Sequence, residues 1–253
     1  FDPSRNGEGF LIEVLDDDWA VLYWFTYDDD GNQDWYVAVG RVQGQRIVFP
    51  ELVRAAGGEF GPGFDPAKVT RTVVGTAAFT WHSCGEGVMD WTLFPGEPEQ
   101  RHGRQELTRL TTLMSLHCGD PMPLPPEIPQ GQYSGSWFDP THDGEGYVFQ
   151  VLIGGEVLLY WFTFDTQGNR RWFFNVGEIR DGVLVFDELF STSGAKFGAA
   201  FDPDDLVLTP WGSLELDINC EGGEARYSSS LEEFGSGMLN VIRLTTLKGL
   251  ECP

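Results

Sequence analysis

Cysteine, methionine and histidine are scarce in this chain of 253 residues, with four of each, and basic residues are few. Lys plus Arg number 16 against 39 Asp plus Glu, a formal net charge of −23. Such a field repels nucleic acid and anionic lipid and argues against both as partners. No apolar run approaches the roughly 20 residues that cross a bilayer as a helix. Walker-type and dinucleotide glycine motifs are missing, and with them the usual phosphate cradles. The cysteines, Cys84, Cys118, Cys220 and Cys252, form no CxxC pair, which disfavours zinc and thioredoxin-type chemistry. Gly-x-Ser-x-Gly and HExxH are absent too. The start at Phe1, with no leader before it, reads as a processed or trimmed terminus.

Aromatic residues (14%), 32 glycines and 15 prolines are what the chain has in quantity, a mixture that suits short strands joined by many turns. An internal repeat organises them. FDPSRNGEGF from Phe1 returns as FDPTHDGEGY from Phe138, and LYWFTYDDDGNQDWYVAVG from Leu22 as LYWFTFDTQGNRRWFFNVG from Leu159. GGEFGPGFDP from Gly57 matches GAKFGAAFDP from Gly194, and RLTTL starts at both Arg109 and Arg243. The offset is 137 through most of the chain and slips to 134 by the last strand, around Cys84 and Cys220 and in the glycine-rich stretch after them. Under this alignment Cys84 matches Cys220, and Cys118 matches Cys252. The economical pairing is therefore Cys84–Cys118 and Cys220–Cys252, one bridge per repeat, each worth roughly 3 kcal/mol in the chain-entropy model. Persistent disulfides imply an oxidising compartment, so a secreted, extracellular or cell-surface location is expected. Residues 120–130, DPMPLPPEIPQ, carry five prolines and read as a stiff spacer. The domains expected are 1–119, the linker 120–130, and 131–253.

Each repeat reads as alternating strands, in the first at about 8–15, 20–28, 34–42, 46–53, 69–82, 87–94 and 105–113. Asp28–Asn32 and Asp165–Asn169 link two of these as hairpin turns, with Gly31 supplying the positive φ in the first. No segment has a 3.6-residue apolar period of helical length. The expected fold class is all-β: two tandem antiparallel modules, each an eight-stranded meander barrel or, as the alternative, a β-sandwich.

The second repeat opens with Gly135-Ser136-Trp137, and Arg243 falls on its last strand. A Gly-x-Trp on the first strand with an arginine on the last resembles the lipocalin and avidin barrels. That resemblance implies that Trp137 closes one barrel end with Arg243 packed over it. The first repeat retains only Arg109. Across nearly the whole chain the pattern of motifs is similar to tandem modules of uncharacterised secreted proteins of Gram-negative bacteria, a resemblance that implies no particular activity.

Nothing assembles into a catalytic constellation. His82, His102, His117 and His142 have no histidine counterparts in the other repeat and read as surface or incidental residues. Glu8 and Glu145 recur in Gly-Glu-Gly, and Asp2, Asp65, Asp139 and Asp202 in Phe-Asp-Pro. A retaining glycosidase needs two carboxyls about 5 Å apart, but Phe-Asp-Pro suits an aspartate that hydrogen-bonds its own backbone beside a turn-fixing proline. The expectation is a protein that is not an enzyme and has no cofactor. A calcium ion at Asp28, Asp30 and Asp34 is the lesser alternative, since acidic side chains alternate there beside a glycine.

The aromatic pattern carries the functional expectation. On the strand from Ala20 to Tyr27, Leu22 and Trp24 share one face while Val21, Tyr23, Phe25 and Tyr27 share the other. Both faces are apolar, so something beyond the module's own core should cover the second. The repeat carries Tyr160, Phe162 and Phe164 at the same positions. These residues, with Trp19, Tyr36 and Phe173, are the candidate ligand-binding set, a platform on which sugar rings stack their C–H faces. Carbohydrate is the first ligand expected. Two alternatives are self-assembly into an extracellular filament or surface layer through aromatic faces and an open strand edge, and a small apolar ligand held in a lipocalin-like barrel.

Overall fold

The computed structural model describes residues 1–116, 118 and 129–252. Among them every regular element is a β-strand or a short 3-10 turn, and no helix is long and apolar enough to cross a membrane. In the first repeat β1 (Gly9–Val14), β2 (Trp19–Tyr27), β3 (Gln33–Gln43), β4 (Arg46–Ala56), β5 (Thr70–Trp81), β6 (Glu86–Leu93) and β7 (Arg101–Thr108) follow one another in a seven-stranded meander. In the second, β8 (Gly135–Phe138), β9 (Gly146–Val151), β10 (Val157–Phe164), β11 (Arg170–Arg180), β12 (Val183–Ser193), β13 (Val207–Ile218), β14 (Gly222–Ser229) and β15 (Ser236–Arg243) close into an eight-stranded antiparallel barrel.

The difference of one strand traces to β8, which pairs with β15 on one side and β9 on the other and so completes the ring. Phe1 aligns with Phe138, the last residue of β8. Phe1 does keep the pairing of its counterpart: its backbone exchanges hydrogen bonds of 2.9 and 2.8 Å with Thr108 of β7. In the barrel, Trp137 is fully buried, its Nε1 donates to the Tyr133 carbonyl, and the Arg243 guanidinium lies 6.0 Å from its ring.

The four cysteines are joined as Cys84–Cys118 and Cys220–Cys252, one bridge in each repeat, and no described cysteine is free. The linker 120–130 lies, apart from Pro129 and Gln130, outside the described residues, as does His117. The last strand of the first repeat sits earlier than expected. It ends at Thr108, after which the Arg109 N–H turns to the Gly85 carbonyl and Leu110 is 69% exposed.

By compactness the chain divides into two units, and the division does not follow the repeats. Unit 1 contains Phe1–Ala55, Arg71–Leu110 and Ser193–Val207; unit 2 contains Ala56–Thr70, Thr111–Thr192 and Leu208–Pro253. The FG–FDP loop of each repeat therefore belongs to the unit built on the other repeat. Phe197 is buried in unit 1 against Trp24 and Trp91, at ring separations of 5.8 and 5.3 Å. Phe60 is buried in unit 2, where Trp161, Phe173, Trp211, Tyr227 and Phe234 surround it at 5.0 to 6.5 Å. Glycine makes the docking of both loops feasible. Gly31, at φ +84°, ends the β2–β3 hairpin, and its carbonyl accepts the Gly194 N–H at 2.8 Å; a Cβ there would stand 2.9 Å from the Gly194 oxygen. Gly168 plays the same part in unit 2, where a Cβ would stand 3.1 Å from the Gly58 carbonyl oxygen.

Candidate binding cleft

The four Phe-Asp-Pro motifs act as local turns. Asp2, Asp65, Asp139 and Asp202 each accept the backbone N–H two residues on, at 2.8 to 3.0 Å. Gly-Glu-Gly is different, because its carboxylate is buried. Glu8 takes the Thr26 hydroxyl at 2.6 Å on one oxygen, and Gln105 Nε2 at 2.8 Å together with Arg5 Nε on the other. In unit 2, Glu145 accepts from the Thr163 hydroxyl, and His142 Nδ1 lies 2.7 Å from its other oxygen. Arg5 and His142 are counterparts in the repeat, and the exchanged loops cover both. The Arg5 guanidinium lies 4.5 Å from the Phe201 ring and donates to the Gly198 carbonyl, while the His142 ring stacks on Phe64 at 4.6 Å and 10°. His142 is thus half of a part-buried pair rather than incidental.

Burial works against a charged His142, but the hydrogen bond and charge of Glu145, with Asp139 beyond, outweigh it and raise the pKa above its ordinary 6.5. A raised value means that the pair's contribution to stability is complete below pH 6.5 and is lost as pH rises through the folded value. Thermal unfolding at a series of pH values should show unit 2 weakening as pH rises above 6.5. Substituting His142→Arg, the residue of the other repeat, should flatten that dependence.

Asp28 and Asp34 serve the fold. Asp28 Oδ1 accepts the Asp30 and Asn32 N–H groups at 2.9 and 2.8 Å, closing the hairpin turn. Asp34 is paired with Arg54 at 2.7 Å and accepts the Tyr36 hydroxyl at 3.2 Å. Among the described residues no group of three or more His, Cys, Asp or Glu side chains is placed to share a metal ion.

Of the aromatic candidates, Tyr23, Phe25, Tyr160 and Phe162 are buried on their strands, and Phe164 and Phe173 are fully enclosed. Trp19 is 41% exposed, with the Arg41 guanidinium 3.3 Å from its ring centre. Both faces of β2 are buried, as its two-sided apolar pattern requires. An open platform would need these rings at the surface, and the structure does not assemble one from them.

Tyr27 and Tyr36 have a second role, for they line a cleft in unit 1. Two adjoining hollows of about 200 and 410 Å³ share Asp29, Arg101 and Phe197. The smaller is walled by Tyr27, Tyr36, Leu93 and Phe94 with the Asp34–Arg54 pair, the larger by Trp91, Gln100 and His102. Arg101 holds Asp29 with both guanidinium arms, Nη1 to Oδ1 at 2.7 Å, and lies 5.4 Å from the Phe197 ring. That hydrogen bond holds the Asp29 carboxyl below its usual 3.8. Among the described residues Trp91 Nε1, like Trp24 Nε1 in the same unit, is buried and has no hydrogen-bond partner. Unit 2 has such groups as well, in Trp161 Nε1, Trp211 Nε1 and Tyr147 OH. The cleft wall thus combines buried rings with an amide, a guanidinium and carboxylates, which are fixed donors and acceptors at the rim.

The repeat held some signal for this site. Phe197 lies in the repeated FG–FDP motif, but Asp29 and Arg101 are 72 residues apart and only the fold joins them. No family model, curated protein or solved structure matches the chain.

Proposed function

We propose that this is a secreted, non-catalytic binding protein that recognises carbohydrate in the cleft of unit 1. The observation that carries the reading is the union, in one hollow of 410 Å³, of the Trp91 and Phe197 rings with Gln100, His102 and the Asp29–Arg101 pair. This size lies within the 300–1,000 Å³ or so common for small-ligand sites. Planar side chains that present donors and acceptors together suit the neighbouring hydroxyls of a sugar. Disulfides in both repeats accord with an oxidising compartment. The carboxylates once eligible for catalysis, Glu8 and Glu145, have both oxygens engaged by neighbours. Assembly through strand edges draws less support, since the outer strand β7 exposes Arg104 and Glu106, charges that oppose strand addition. As for an apolar ligand inside the closed barrel, Trp161, Phe173, Trp211 and Tyr227 occupy its interior.

Titration with a panel of neutral and acidic oligosaccharides should change tryptophan fluorescence for at least one of them. Arg101→Ala should weaken that binding at least tenfold, because it removes the rim donor and releases Asp29. Silence across the whole panel would overturn the reading.

A further inference from the structure

The tip of the β2–β3 hairpin is built alike in the two repeats. Asp28 and its counterpart Asp165 each accept two backbone N–H groups of their turn on Oδ1, at 2.8 to 2.9 Å. The side chain of the following residue takes no part in closing the turn, and the repeats differ there. It is Asp29 in the first and Thr166 in the second. Asp29 gives both carboxylate oxygens to Arg101, whose counterpart is Gly235.

Other basic groups gather at this pair without basic counterparts. Lys196 adds its positive charge to that of Arg101 at Asp29, and the first repeat has Glu59 at its position. His102, on the wall of the larger hollow, corresponds to Ser236. Among the described residues neither Lys196 nor His102 has an ion-pair partner. Unit 2 completes its barrel without a basic group at any of the three positions, so these groups lie outside the shared design. In a chain with 16 Lys plus Arg against 39 Asp plus Glu, their meeting at one cleft points to an anion.

Most carboxylates nearby are committed elsewhere. Asp28 closes its turn, Asp34 is buried against Arg54, and Glu99 acts on Arg101 through its charge alone. Asp29 is the one that can leave. Its side chain is 62% exposed and that of Arg101 38%, and ion pairs so open to water contribute little. Its planar carboxylate, held by both guanidinium arms, shows how Arg101 would hold the carboxylate of a ligand. We infer that Asp29 stands in for a ligand carboxylate, and that the cleft takes a hexuronic acid whose carboxylate replaces Asp29 on Arg101, beside Lys196. The sugar ring then enters the larger hollow, walled by Gln100 and His102, while Asp29 turns to solvent and the turn keeps its Asp28 hydrogen bonds. That the carboxylate belongs to a sugar rests on the function proposed above.

The probes are short oligomers of galacturonate and of glucuronate, each beside its methyl ester, which keeps the ring and removes the charge. Calorimetric titration of the full chain should show at least one of the acids bound at least tenfold more tightly than its ester. Asp29→Thr, the residue of the other repeat, removes the competing carboxylate and should raise that preference about fivefold, the scale of a weak surface pair. Arg101→Ala should abolish the preference. Circular dichroism checks that both variants keep the wild-type fold, and the ratio of acid to ester in the wild type is informative by itself. Equal binding of acid and ester would overturn the inference and leave the carbohydrate reading standing. A preference that Asp29→Thr leaves unchanged would overturn it too, since Asp29 would then not be in the place of the ligand. If neither acids, esters nor neutral oligosaccharides bind, the carbohydrate reading falls and the inference with it.

Discussion

Phe60→Ala is expected to destabilise unit 2 by about 3–5 kcal/mol, the range for removing a buried phenylalanine ring from a packed core. The ring touches five others, and all of them belong to the second repeat. A residue of the first repeat would thus act as a core residue of the second. Few protein groups could close the void, because Trp161 and Trp211 are fully buried and held by further ring contacts. Urea unfolding followed by tryptophan fluorescence measures the loss. A cost below about 0.5 kcal/mol, the level of an ordinary surface change, would show that the loop is not anchored through this ring.

Glu8→Ala is the second large effect, expected at about 3–5 kcal/mol in unit 1, as when one partner of a buried ion pair is removed. It strands Arg5, whose side chain is only 17% exposed, and leaves the Thr26 hydroxyl and the Gln105 amide without their acceptor. Glu8→Gln retains an acceptor oxygen and the shape of the side chain, so its cost should be less than half as large. Equilibrium unfolding of the two variants side by side tests the difference. If both leave stability unchanged, the carboxylate is not structural and a chemical role for Gly-Glu-Gly becomes open again.

The meander was legible because strands declare themselves locally. Alternation, the Asp-x-x-Gly-Asn hairpin and the repeated cysteines each act over a few residues or through the duplication itself. The exchanged loops were not legible, and the reason is physical. GGEFGPGFDP and GAKFGAAFDP have the same spacing, so either loop presents its phenylalanine to a meander of the same design, and nothing in the pattern says which meander receives it. The buried strand β2 misled in another way. Its apolar second face announced a contact, but a stacking platform and a covered surface look alike in sequence. Tyr36 was singled out as a ring and proved to line the cleft; its neighbours Trp91, Gln100 and Arg101 came from strands and turns far along the chain.

The exchange of loops also sets a timetable. Unit 1 has all its strands once Leu110 has been made, yet its core waits for Phe197, carried on Ser193–Val207. About a hundred further residues must leave the ribosome first, on the order of 5–20 s at the usual speed of synthesis. Through that interval Trp24 and Trp91 lack the ring that packs on them. The nascent chain is then a sheet awaiting its closing piece, and the interval is when a chaperone would find it.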